Sequence, residues 1–398
     1  MKSKIDLLRI AIVTIIFSLA LIYPLLWMKM LADPAQRTGA DFIAFYAAGR
    51  IVNDEGAARA YDLALQKKYE REALGADFEF SETNPFVHPP FVLPLVQLAV
   101  TENYIASFQR WALLMIAFFA AGIPLLAALF RPFLLRAQRW QLVLALFLFF
   151  PSFQSVLLGQ DNALMFFGVA LCLWGLQNQK DWAAGLGLAL MTIRPHFVLF
   201  FLPVFLFRRR PALMWFAGFA ALLALFSAAY AGADGIRGFL HILAVSGAGE
   251  GFKINETAMI NLIGLLRRTL PNLSPHMARQ IGWGAYALAL LSFIIYAARS
   301  PLSDFALAGI SALSALFFST HTHVQDMLLF LVPLLAWTLS QLEQKRLSAE
   351  SLPALPLGLS LILLFSFAAP ALTHSIPYVL TLGFFLLLIK SPALAARS

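Results

Sequence analysis

Apolar runs close to bilayer length alternate along this chain with short basic or polar stretches. A membrane-spanning helix needs about 20 consecutive apolar residues. The first run, Ile10 to Met28, follows MKSKIDLLR; others cover Trp111 to Phe130, Trp140 to about Leu158, Trp182 to Phe207 and Leu213 to Ala231. Further runs end at QNQKD and Arg299, reach Ser319, start near Asp326, and finish before Lys390. The pattern predicts an all-α polytopic membrane protein of about twelve hydrophobic segments. A single integral membrane domain is expected over residues 1–398, interrupted by a large first loop at 28–110 and a second at 232–276.

The run from Trp182 to Phe207 contains Arg194-Pro195-His196. Proline disfavours helix at the residue before it, and charge at membrane depth is tolerated only where protein or water satisfies it. Two short helices folded back at Pro195 are therefore expected, returning Arg208, Arg209 and Arg210 to the cytoplasmic side. Within the first loop, YDLALQKKYEREAL reads as a polar helix, and Pro89-Pro90 argues against a continuous span through FVHPPFVLPLVQLAV. The stretch MINLIGLLRR in the second loop is amphipathic and expected on the membrane surface.

Composition strengthens this picture. The 398 residues are 60% hydrophobic and 13% charged, against about 45–50% and about 25% in soluble domains. The net charge of +8 lies in short basic clusters between apolar runs, which is topology signalling and excludes a nucleic-acid footprint. Cys172 is the single cysteine and sits in an apolar run, so disulfides and cysteine metal sites are not indicated. The first run is too long for a typical signal h-region and LADPA is a poor cleavage site, so an uncleaved anchor is expected.

With both ends cytoplasmic, the unusual polar residues fall on one side: Asp41, His88, Gln160, Asp161, Asn162, Arg194, His196, Asn255, Glu256, His321, His323 and Asp326. Lys253 shares the second loop with Asn255. Such chemistry points to a shared external cavity, centred on the stretch GADFIAFYAAGRIVNDEGAARAY after the first run.

At these residues the chain resembles glycosyltransferase family 87, the GT-C class membrane enzymes related to polyprenol-phosphate-mannose-dependent alpha-mannosyltransferases. The resemblance rests on Asp41, Phe45-Tyr46, Ala47-Ala48, Gly56 and Tyr61-Asp62, then on Phe86-Val87-His88-Pro89-Pro90, Gly159-Gln160-Asp161-Asn162 and Arg194-Pro195. It extends from about residue 39 to 215 and afterwards is mainly one of hydropathy. It implies a GT-C-like fold and inverting transfer of a hexose, mannose first among candidates, from a polyprenyl-phosphate donor to a lipid or glycan acceptor. The setting it implies is a bacterial inner membrane, with the site facing the periplasm or exterior.

Under that resemblance Asp41 is expected as general base and Arg194 as phosphate clamp, with His196, Gln160, Asn162, Tyr46, His88, His321 and His323 as further substrate-binding candidates. Plainer roles stand beside these: Asp41 capping a surface helix that starts near Phe42, Arg194 as a topological flank, Asp161 as a turn residue, and Asp54 and Glu55 as solvated charges. His321-x-His323-x-x-Asp326 has the donors of a metal site but no evident fourth ligand, so neither metal nor cofactor is expected. The alternatives are a secondary transporter with its site at the broken helix, and a catalytically inactive lipid-binding relative in which Asp41 is remote from Arg194.

Overall fold

The computed structural model describes residues 2–32, 41–74, 84–248 and 256–390. Gly39, Lys253 and Asn255 lie outside these ranges. The described residues form helices and no strand.

Helix α1 (Lys2–Ala32) leads to three helices before the next long apolar one: α2 (Phe42–Glu55), α3 (Leu63–Leu74) and α4 (Leu93–Ala99). Helix α5 (Tyr104–Ala128) is followed by α6 (Arg136–Phe147), α7 (Phe150–Leu157), α8 (Asn162–Gln177), α9 (Asp181–Leu190), α10 (Pro195–Arg208) and α11 (Arg210–Ala248). The remainder is α12 (Leu262–Thr269), α13 (Pro275–Arg299), α14 (Asp304–Phe318), α15 (Leu331–Glu343), α16 (Ala354–Ala368) and α17 (Pro370–Ile389).

Where about twelve segments are expected from hydropathy, seven helical stretches among the described residues are individually long and apolar enough to cross a membrane, or eight if α6 and α7, bent by 42°, form one span. Five shorter apolar helices account for other runs, α8, α9, α10 and α14 among them. These satisfy their apolar faces against protein: α8 packs between α5 and α9, and α10 against α13 and α14. Helix α11 lies on the periphery and exposes Met214, Leu222 and Leu225, as a lipid-facing helix does. It bends at Gly232, whose φ of 68° and ψ of 179° leave the helical region.

The break at Pro195 is present, and one ion pair settles its geometry. Asp181 opens α9 and Arg209 follows α10, yet Arg209 Nη2 lies 2.6 Å from Asp181 Oδ1. Twenty-eight residues of continuous helix would separate them by about 42 Å. The two helices therefore fold into a hairpin with Arg194 at its tip and the Arg208–Arg210 triplet at its base.

The segment between α1 and α5 is held by buried polar staples. Gln66 donates to the Ala60 carbonyl at 2.7 Å and accepts the Phe86 N–H at 3.0 Å, while Glu70 accepts the Asn84 N–H at 3.2 Å. Asp62 caps the start of α3 through Ala64 and Leu65. Tyr61 donates to the His88 carbonyl at 2.7 Å, which fixes that histidine beneath α2. The Tyr61-Asp62 pair thus does structural work.

After α11, Glu256 is buried between Arg279 (2.8 Å) and Arg267 (3.1 Å). Asn261 caps α12 through Gly264 N and donates to the Ser319 carbonyl at 2.7 Å, and Ile260 N donates to Thr322 O. These bonds seat the 256–269 segment on the turn that carries His321 and His323.

Candidate functional site

Five separated stretches meet between the hairpin tip and the first loop, around Asp41, His88, Gln160, Arg194 and His323. Asp41 stands at the N-cap of α2, with φ −66° and ψ −12°, but its side chain makes no capping bond. Instead its carboxylate accepts a short hydrogen bond from the Gln160 amide. The plainer capping role is thereby excluded in this geometry. Burial pushes the Asp41 carboxyl above its ordinary range, opposed by the Gln160 hydrogen bond and by the nearby His323 and Arg194.

Gln160 reaches Asp41 because of the turn before it. Gly159 has φ +72°, and a Cβ there would lie 2.4 Å from Phe42 Cβ. The Trp111 indole N–H donates to the Gly159 carbonyl at 2.8 Å. A glycine is required on both counts, conformational and steric.

Arg194, 8% exposed at the hairpin tip, directs one guanidinium nitrogen at three acceptors: Gln160 Oε1 (3.2 Å), Asp161 Oδ1 (2.9 Å) and Asn162 Oδ1 (3.0 Å). Its Nε is buried and has no hydrogen-bond partner among the described residues. The second Asp161 oxygen lies 2.9 Å from His88 Nδ1. Burial alone would raise the Asp161 carboxyl, but His88 and Arg194 outweigh it and hold it well below the usual carboxylate range. Asp161 is thus ionised and buried because two partners share it.

On the far side, Asn162 donates to Asp326 Oδ1 at 3.0 Å, and the other Asp326 oxygen accepts the His323 N–H at 2.8 Å. The rings of His321 and His323 meet edge to face, 4.7 Å apart. Burial pushes both imidazoles below their ordinary range, more than Asp326 and Asp41 can restore for His323, so both are neutral donor–acceptor groups near pH 7. His196 reaches the His321 backbone with its ring, and its own carbonyl accepts from Tyr286 at 2.9 Å. His88 stacks on Phe45 with centroids 4.8 Å apart.

Asp41, His88, Gln160, Asn162, Arg194, His196, His321 and His323 therefore come together. Tyr46 does not join them: its hydroxyl donates to the Glu102 carbonyl at 2.8 Å and it lines a separate cavity. Asp54 and Glu55 are solvated and pair with Arg50 and Arg59. The turn role expected for Asp161 understates it, and Asp326 belongs to the centre as the acceptor of Asn162 and His323. The available signal for both was an acid beside an amide or a histidine in a chain with few acids. Among the described residues no group of three or more His, Cys, Asp or Glu is placed to hold a metal ion.

Fold and centre together define an all-helical integral membrane protein with a buried acid–amide–guanidinium network at the tip of a helical hairpin. The family model for glycosyltransferase family 87 matches residues 86–321, and the chain belongs to that family of membrane glycosyltransferases. The match begins after Asp41 and Tyr46 and runs well beyond residue 215, taking in His88, the Gly159–Asn162 turn, Arg194, His196 and His321. Comparison with curated proteins finds no match.

Proposed function

We propose that this protein transfers a hexose, mannose first among candidates, from a polyprenyl-phosphate donor to a lipid or glycan acceptor with inversion at the anomeric carbon. The observation that carries the reading is the continuous link Asp41–Gln160–Arg194, which joins a carboxylate to a guanidinium through the two ends of one amide. An acceptor hydroxyl attacks the anomeric carbon from the face opposite the phosphate. As the new C–O bond forms, the bond to the phosphate oxygen breaks and its electron pair leaves with the phosphate. Asp41, once ionised, takes the hydroxyl proton.

Arg194 stabilises the phosphate charge through the Nε–H that no group among the described residues accepts, while its terminal nitrogen holds the Gln160–Asn162 loop. The neutral His321 and His323 supply hydrogen bonds to sugar or phosphate oxygens. The positive-inside rule puts Arg208–Arg210 in the cytoplasm, so the hairpin tip and the centre face the periplasm or exterior of a bacterial inner membrane. The link through Gln160 also argues against an inactive relative, since Asp41 is not remote from Arg194.

The test is transfer of radiolabelled mannose from polyprenyl-phosphate mannose to endogenous lipid acceptors by the purified protein in membranes, with Asp41→Asn beside wild type. Transfer lost in Asp41→Asn with donor binding retained is the expected result. Unchanged transfer in the variant removes Asp41 from the base role, and solute flux into proteoliposomes without any transfer replaces the enzyme with a transporter.

A further inference from the structure

One cavity is not absorbed by the centre. It is a half-open cleft of about 510 Å³ between α2, α3 and the turn into α5, within the roughly 300–1,000 Å³ of small-ligand sites. Three tyrosines, Tyr46, Tyr69 and Tyr104, wall it, and Arg50, Glu72 and Glu102 supply charge. Neither Asp41 nor Arg194 lines it.

Its chemistry is selective. Arg50 is already matched: its Nη2 lies 2.9 Å from Asp54 Oδ2, its Nη1 donates to the Tyr46 hydroxyl at 3.3 Å, and its guanidinium sits over the Tyr69 ring at 5.4 Å. Glu72 lies 3.9 Å from Lys68, so Glu102 alone leaves the walls with excess negative charge, which disfavours a phosphate or carboxylate ligand. Tyr104 stands edge to face with Tyr46 at 5.1 Å, giving a rigid aromatic wall. Flat apolar rings beside fixed carboxylates and a guanidinium suit a sugar, whose ring carbons pack on aromatics while its hydroxyls donate to carboxylates.

Tyr46 and Arg50 follow Asp41 on α2 by five and nine residues, about 7.5 Å and about 13.5 Å along the axis and about 140° and about 180° around it. The cavity therefore lies on the side of α2 away from Asp41, and a sugar chain long enough to pass round the helix, rather than a single ring, reaches both.

We propose that this cavity is a carbohydrate subsite which holds a neutral sugar unit of the acceptor, remote from the hydroxyl that reacts at Asp41. The proposal rests on the reading of Asp41 as the base, so its test is a binding measurement independent of transfer. The full chain in lipid nanodiscs is titrated with mannobiose, maltose and cellobiose by saturation-transfer NMR, with glucose 1-phosphate as the anionic comparison. At least one neutral disaccharide should bind saturably, about tenfold more weakly in Arg50→Ala and in Glu102→Ala, and equally well in Asp41→Asn. Glu102→Ala changes an exposed side chain and leaves the backbone carbonyl that Tyr46 uses, so folding is not at stake there. No saturable binding of any neutral disaccharide, binding unaltered by both substitutions, or tighter binding of glucose 1-phosphate that responds to them overturns the subsite. Binding retained in Asp41→Asn stands even if transfer is never observed, and absent binding leaves the role of Asp41 untouched.

Discussion

Gln160 gives its amide N–H to Asp41 and takes Arg194 on its amide oxygen at 3.2 Å, so one neutral side chain sets the position of both charges. The bond to Asp41 favours the ionised carboxylate against the burial that raises it. A base must be ionised to act, so the rate of transfer should rise with pH along a limb displaced above the ordinary carboxylate pKa near 3.8. Gln160→Leu removes a stabiliser of the ionised form and should move that limb further up. A pH profile of kcat/KM for both proteins checks this; an unmoved limb removes Asp41 as the titrating group.

Asp41→Asn keeps the Gln160 partner and the volume but cannot take a proton. Transfer should fall by about 10²–10⁴-fold, the usual contribution of a general base, with donor affinity changed little. Single-turnover transfer and direct donor binding separate the two quantities.

Arg194 and Asp161 form a pair in which both partners are nearly inaccessible. Arg194→Met leaves Asp161 and Asp326 facing each other across Asn162 without the guanidinium, at a cost of about 3–5 kcal/mol. Adding Asp161→Leu should recover much of the thermal stability in detergent but none of the transfer. Recovery of transfer in the double variant would reduce Arg194 to a structural ion.

Glu70 is fully buried and its carboxyl is pushed up to about 8 by burial, which the single Asn84 N–H only partly offsets. An acid whose folded pKa is raised binds its proton more tightly when folded, so stability falls as pH rises from the unfolded value near 4.5 through about 8. The full loss is on the order of 5 kcal/mol. Glu70→Gln should therefore be more stable than wild type at pH 9 and not at pH 5, as read by thermal unfolding at the two pH values.

The hairpin makes a topological prediction. With the buried Cys172 replaced by alanine, single cysteines at Asp181 and Arg209 should react with membrane-impermeant thiol reagents from one face, and a cysteine at Glu72 from the other. A double Asp181→Cys, Arg209→Cys protein should be cross-linked by a short bifunctional reagent. Labelling of 181 and 209 from opposite faces would abolish the hairpin.

Several of these features were legible in the residues. The break before Pro195 follows from backbone sterics, and the convergence of Asp41, Gln160, Arg194 and the histidines matches the expectation that the unusual polar residues share one cavity. Span counting was less secure, because hydropathy does not separate an apolar helix facing lipid, such as α11, from a short one facing protein, such as α8. Tyr46 is expected at the centre under the family resemblance, yet successive helical residues point about 100° apart, and of the Phe45-Tyr46 pair it is Phe45 that turns to His88. Asp161 was hidden because a turn residue and a buried ion share the same local signature; only the distant Arg194 and His88 tell them apart.

The centre draws on residues from 41 to 326, and Asp326 is the last to arrive during synthesis. Until the chain past that point is inserted, Asn162 lacks its acceptor and His321 and His323 have no seat, while Arg194 and Asp161 already face one another in the membrane. Biogenesis thus runs through an intermediate in which Asp161 already has both Arg194 and His88, while the Asp326 side of the centre is still missing. Truncations ending before Asp326 should be recognised by membrane proteases as unassembled chains, which makes the final third of the protein a checkpoint for the first two.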